Sequence, residues 1–147
     1  MQISEAIEAD AEVIAQLLGE IEAYYGGPAI VPPVNEVRAA LFGERPAATV
    51  LLARDADVVF GLASFTRLWP AAGSDTSLYL KELFVREEHR RAGVAGALMD
   101  AVAEAGRVAG CSRLEWTADA DNPSALAFYE ALGAKQNLGK VSYRQPL

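Results

Sequence analysis

Residues Arg90 to Gly96 read Arg-Arg-Ala-Gly-Val-Ala-Gly. They join an apolar, strand-like run, Leu78 to Val85, to a helical pattern that continues to about residue 109. A strand, a glycine-containing turn and a helix in that order aim several backbone N–H groups at one point, with the positive end of the helix dipole behind them. Gly93 and Gly96 remove Cβ atoms where an anion must come close. Two arginines just before a helix oppose the usual preference for acidic residues there, which makes sense if a polyanion sits at the turn. The run therefore predicts phosphate binding. A glycine-rich helix start with basic residues is also common on ordinary surfaces, so the turn alone leaves both readings open. It is not a P-loop, because no Gly-Lys-Ser/Thr ending follows, and it lacks the Gly-x-Gly-x-x-Gly of a dinucleotide fingerprint.

A chain of 147 residues, 52% apolar and 22% charged, fits a single globular domain over 1–147 with a substantial core. No apolar run approaches the ~20 residues of a membrane span, and no basic-then-apolar leader opens the sequence. A soluble cytoplasmic protein is the expectation, with no membrane partner. One cysteine, Cys111, excludes an internal disulfide and a cysteine-based zinc site. It reads as a small buried hydrophobe. The lone His89 argues against a His-rich metal site or a Ser-His-Asp triad and reads as a loop residue; no metal is expected.

The net charge of −7 is unevenly spread. The first 44 residues hold eight acids against one base, Arg38, which accounts for all of it, while the remainder carries twelve of each. Nucleic acid is then a poor partner, since no basic face of the needed size exists. A cationic ligand near the first helices suits the charge. A solvated acidic helix face suits it equally.

The remaining pattern gives a short strand near 2–6 and a helix from an Asp10 cap to about 25, striped by Val13, Ile14, Leu17, Leu18, Ile21 and Tyr24. A short helix follows at 35–42. Runs at 48–53 and 58–67 flank a turn and read as a hairpin. A strand at 77–85, a helix at 93–109 stopped by Gly110 and a strand at 113–117 come next. Asn122-Pro123 starts a helix that ends at Leu132-Gly133, and a last strand is expected at 141–145. Helices, then a meander, then βαβα make a mixed α/β (α+β) domain.

Two further segments draw attention. In Asn122-Pro-Ser-Ala-Leu-Ala-Phe-Tyr-Glu-Ala-Leu-Gly133, Phe128 and Tyr129 lie about 100° apart on a helix, so one is expected buried and the other at a boundary. In the 77–85 strand, Lys81 and Glu82 interrupt an apolar run, and neighbours on a strand point to opposite faces. Glu82 thus either bonds water in a cleft or pairs with an arginine.

Together these segments resemble the GNAT acetyltransferase family. Arg90-Arg-Ala-Gly93-Val-Ala95 is similar to the family's Arg/Gln-x-x-Gly-x-Gly/Ala, and Asn122, Ala125, Phe128, Tyr129, Leu132 and Gly133 match its Asn-x-x-Ala-x-x-Phe-Tyr-x-x-Leu-Gly. The match is strong over about 77–134. Leu78-Tyr-Leu-Lys-Glu-Leu-Phe-Val85, Asp121-Asn-Pro-Ser, Phe65-Thr-Arg-Leu-Trp-Pro70 and Tyr24-Tyr25 resemble the diamine (spermidine/spermine- and thialysine-like) subgroup. That subgroup carries an acid where this chain has Lys81, and its C-terminal tail differs. Streptothricin-like, aminoglycoside-like and protein amino-terminal acetylating relatives share the general pattern.

The resemblance implies a mostly antiparallel central sheet of about 6–7 strands flanked by about four helices, in a homodimer. It implies acetyl transfer from acetyl-CoA to the primary amine of a small cationic molecule by direct attack in a ternary complex. Backbone groups of Leu83, Phe84 and Val85 would hold the pantetheine and the carbonyl oxygen. Arg90, Arg91, Ala92, Gly93, Val94, Ala95 and Gly96 would hold the pyrophosphate, with Asn122, Ala125 and Phe128 completing the coenzyme site. Glu82, through water, is the implied base, and Tyr129 the general acid, by hydrogen bonding to the departing sulfur or by protonating it. Tyr25, Trp69 and Glu82 are the expected acceptor contacts, whereas Tyr24 reads as core. Two alternatives stay open: a non-catalytic acyl-CoA-binding or sensing module, which would need neither Glu82 nor Tyr129, and a protein lysine or amino-terminal acetyltransferase.

Overall fold

A computed structural model describes all 147 residues. The chain divides into two compact units, Met1–Trp116 and Thr117–Leu147.

The first unit is built on a five-stranded sheet in chain order, β1-β2-β3-β4-β5. These strands are β1 (Gln2–Glu5), β2 (Thr49–Asp55), β3 (Val58–Leu68), β4 (Ser77–Val85) and β5 (Arg113–Glu115). Pairing is antiparallel except for β4 with β5, which is parallel. The β2–β3 hairpin expected from sequence forms around Ala56 and Asp57, with Ala56 at φ 49° in the left-handed region. Helices α1 (Ala11–Tyr24) and α2 (Val34–Phe42) bury Ala11, Ile14, Leu17, Ile21 and Val37 against Val50, Leu52, Val59, Leu62 and Phe84. Each large aliphatic side chain buried this way contributes about 1.5–3 kcal/mol. α3 (Val94–Val108) packs on β2, β3 and β4 through the intervening residues, and its Gly106 lies close to Leu78.

Asp10 does not cap α1 with its side chain. Its carboxylate instead accepts from the Ile7 amide at 2.9 Å and pairs with Arg54 on β2 at 2.9 Å. The Arg54 guanidinium is close enough to compete for an oxygen that would otherwise serve the helix end.

Strict alternation fails twice in the sheet. Ser64 faces Glu82 while Phe65 faces Leu80, so Lys81 is an extra residue on β4; Ala53 faces Gly61 while Arg54 faces Val59, so Phe60 is extra on β3. Both are β-bulges, which re-aim the neighbouring side chains. Lys81 is exposed and Glu82 half-buried.

In the second unit, α4 (Pro123–Ala131) begins at Asn122, whose Oδ1 accepts from Ala125 N–H at 3.1 Å. It ends in a Schellman motif: Gly133 N–H donates to Glu130 O and Ala134 N–H to Tyr129 O. Gly110 closes α3 in the same way, through Arg107 O and Cys111 to Gly106 O.

The sheet has five strands rather than six or seven, and no strand forms at 141–145. Val141 and Tyr143 supply the alternation of a strand, but a strand exists only through a ladder partner. Those side chains stay exposed.

Candidate active site

β5 pairs with β4 only at Ser77, Leu78 and Tyr79. From Leu80 to Val85, β4 has its ladder partner in β3 alone, so one row of its backbone groups is not used by the sheet. Leu83, Phe84 and Val85 all lie on this stretch. The Val85 carbonyl already accepts from Arg90 Nε at 2.9 Å.

Beyond β4 the chain makes one 3-10 turn, Glu87–His89, and reaches α3 through Arg91 at φ 59° and Gly93 at φ 78°. No side chain caps α3, and its first turn holds no acid. The amide of Ala97 makes the first helix bond, to Gly93 O at 3.0 Å, so those of Val94, Ala95 and Gly96 precede the helix ladder. A Cβ added at Gly96 would meet nothing within 4 Å. Glycine inside a helix costs ~1 kcal/mol relative to alanine, and no group of the protein requires it here. The open space over Gly96 thus fits a close-approaching anion, and the donor set of amides suits a pyrophosphate.

On the α1 side of the sheet, the Tyr25 hydroxyl donates to Glu82 Oε1 at 3.4 Å. That is long for an O–H···O bond. Sequence offered these two as separate acceptor contacts, 57 residues apart; the fold brings them together at the end of α1. Trp69 lies elsewhere. Ser64 faces Glu82 whereas Leu68, four residues further along β3, faces Ser77, so the strand end next to Trp69 lies roughly 13 Å away at ~3.3 Å per residue. Its indole N–H donates to Ser74 O at 3.0 Å, closing the loop between β3 and β4, and the residue is 70% exposed.

Tyr24 is not core. It is 48% exposed, lies edge-on to Tyr25 with centroids 5.2 Å apart, and carries the Arg90 guanidinium 5.0 Å from its ring centre. Arg86, which the sequence reading passed over, grips Glu20 on α1 through Nε and Nη2, at 2.8–3.2 Å, while its Nη1 donates to Val59 O at 2.8 Å. Only its place between strand and turn marked it in the sequence. His89 stacks on Phe60 with centroids 4.2 Å apart, and Cys111 is half-buried.

In the second unit, Phe128 and Tyr129 lie side by side with ring centroids 5.2 Å apart, and neither is fully buried. Asn122 and Ala125 are joined by the cap bond of α4. No three His, Cys, Asp or Glu side chains gather where they would hold a metal ion, and no helix is long and apolar enough to cross a membrane. A groove of about 290 Å³, lined by residues that include Thr49, Phe65, Arg67, Leu78 and Ala105, contains none of the site residues above.

A strand edge released by a short parallel neighbour, leading into an uncapped glycine turn, defines the class: the chain belongs to the acetyltransferase (GNAT) family, whose model matches residues 14–134. It is 30% identical over 146 residues to the thialysine N-epsilon-acetyltransferase of Bos taurus, covering 92% of this chain and 84% of that protein. It is 35% identical over 78 residues to the L-ornithine N5-acetyltransferase of Arabidopsis thaliana, covering 53% of this chain and 34% of that longer protein. Among solved structures, an integron cassette protein from the mobile metagenome of V. cholerae superposes with a TM-score of 0.86 at 30% identity, over 99% of this chain and 91% of that one.

Proposed function

We propose that the protein moves the acetyl group of acetyl-CoA onto the primary amine of a small cationic molecule, by direct attack of the amine in a ternary complex. The observation that carries this reading is the continuity of donors and acceptors from the β4 edge at Leu83–Val85 to the uncapped start of α3 at Gly93–Gly96. It offers polar backbone to an extended chain and, eight residues further on, amides to a diphosphate. The names of the two curated relatives, which acetylate ornithine at N5 and thialysine at N-epsilon, support a side-chain amine as acceptor.

Bound acetyl-CoA supplies a thioester whose carbonyl carbon the amine attacks. The chain's part is to orient and to move protons. Backbone amides at β4 hold the acyl oxygen and restrain the reacting pair, the largest single source of acceleration available without covalent chemistry. An alkylamine arrives mostly protonated near neutral pH, with a reference pKa of ~10.4. Glu82 takes that proton through water, and Tyr25 fixes its carboxylate. Tyr129 serves as the acid for the departing sulfur, a role that rests on the family pattern around it. Arg91, Ala92, Gly93, Val94, Ala95 and Gly96 present amides to the pyrophosphate, and Asn122, Ala125 and Phe128 are proposed for the remainder of the coenzyme.

The reading includes one domain over 1–147, a homodimer in the cytoplasm, and no nucleic-acid or membrane partner; sedimentation of the full chain tests the dimer. Calorimetric titration with acetyl-CoA, followed by thiol release with ornithine, thialysine, spermidine, an aminoglycoside and a lysine peptide, tests the activity. Release with a small diamine and none with the peptide is expected. Coenzyme binding without any thiol release overturns the enzyme reading, and absence of binding overturns the site.

A further inference from the structure

Helix α1 ends against its own electrostatics. Its last turn holds no basic residue, while Glu20 and Glu22 stand near the C-terminus, where the dipole disfavours negative charge. The missing positive charge comes from the loop after β4. Arg86 forks onto Glu20, and Arg90 lies over Tyr24. The two arginines are four apart in the loop, and their targets are four apart on α1, hence one turn apart on one face.

Arg90 is the first residue of the phosphate-turn motif, yet its side chain is committed elsewhere. Nε donates to Val85 O at 2.9 Å, and Cζ stands 5.0 Å from the Tyr24 ring and 5.9 Å from the Phe84 ring. Its backbone amide bonds Glu87 O at 3.2 Å. Tyr24 and Phe84 meet edge to face at 6.2 Å, Tyr24 meets Tyr25 at 5.2 Å, and Tyr25 reaches Glu82. An unbroken series of contacts thus runs from the phosphate turn to the carboxylate on β4.

We propose that Arg90 is a positioning residue for the amine site: its guanidinium, lodged on Tyr24 and bonded to Val85 O, fixes the end of α1 so that Tyr25 meets Glu82. The inference deepens the acetyl-transfer reading and rests on it. It separates two duties inside one motif: the amides of the turn take the diphosphate, while the first side chain serves the acceptor. A helix end of this kind frays unless tied down, and a cation over a tyrosine face is the tie.

The test measures acetyl-CoA Kd by calorimetry, and amine KM and kcat by thiol release with the fastest amine of the panel. Wild type is compared with Arg90→Met, Arg90→Lys, Tyr24→Leu and the Arg90→Met/Tyr24→Leu double variant. Arg90→Met is expected to raise amine KM roughly two- to thirty-fold, the range a cation–π contact supplies, and to leave acetyl-CoA Kd unchanged. Arg90→Lys should recover part of the loss, since it keeps a cation over the ring. Tyr24→Leu should reproduce it, and the double variant should be no worse than either single one. Where the methionine variant does not fold, the lysine and Tyr24→Leu variants carry the same comparison. An unchanged amine KM overturns the proposal. So does a rise in acetyl-CoA Kd as large as the rise in KM, or strict additivity in the double variant. Wild type that releases no thiol sinks the acetyl-transfer reading itself and takes this inference with it.

Discussion

Arg86 and Glu20, 66 residues apart in sequence, meet in a fork whose shortest bonds are 2.8 and 3.0 Å, and the same guanidinium donates to Val59 O at the β3 bulge. One side chain therefore ties the end of α1, the bulge and the end of β4 into a unit. Arg86 is the less exposed partner, with 19% of its side-chain surface accessible against 39% for Glu20. Arg86→Ala leaves the Val59 carbonyl without its side-chain donor and should cost about 2 kcal/mol, whereas Glu20→Ala, more screened by water, should cost about 1 kcal/mol. Urea unfolding of the two variants checks the order.

The Asp10–Arg54 pair predicts an acid-sensitive contribution to stability. Burial alone raises the Asp10 carboxyl, but Arg54 at 2.9 Å and the Ile7 amide at 2.9 Å outweigh it and hold the group below its ordinary range. A carboxyl lowered in the folded state stabilises fully above its unfolded value of ~3.9 and loses that contribution as pH falls through the lower folded value. Asp10→Asn should be less stable than wild type at pH 7, and the gap should close below about pH 4. Thermal melts across pH 2–7 measure it; a gap that persists at pH 2 assigns the loss to packing instead.

Gly96→Ala should move stability and affinity in opposite directions. Nothing in the chain lies within 4 Å of the added methyl, so the helix should gain ~0.5–1 kcal/mol. The methyl occupies the space proposed for the diphosphate, and acetyl-CoA affinity should fall about tenfold, the loss of one hydrogen bond to a charged group. Thermal shift without ligand and calorimetry with it give both signs on one sample.

Tyr129→Phe should lower turnover by about 10²-fold, the lower range of acid catalysis, with acetyl-CoA affinity kept. A saturating-amine assay reads this directly. Turnover equal to wild type removes the phenol from the proton path.

Much of this protein is local, and local physics is legible in a sequence. The β-rich runs at 48–53 and 58–67 on either side of a turn marked β2 and β3, and the 3.6-residue stripe through Ile14, Leu17 and Ile21 marked α1. Gly110 and Gly133 announced the ends of α3 and α4 because each end needs a left-handed residue. The glycine turn from Arg90 to Gly96 was legible for the same reason. The Lys81 bulge was not, since the strand that defines its register, β3, enters only through pairing.

The sequence by itself determined the order of elements through α4, the C-terminal stops of α3 and α4 and the glycine turn before α3, because each depends on backbone preferences within a few residues. Tertiary structure alone decided that Tyr25 faces Glu82, that Arg90 rests on Tyr24, and that the 141–145 run finds no strand partner. Those outcomes depend on side chains and edges that meet only after chain segments far apart in sequence have packed, and no local preference encodes the meeting.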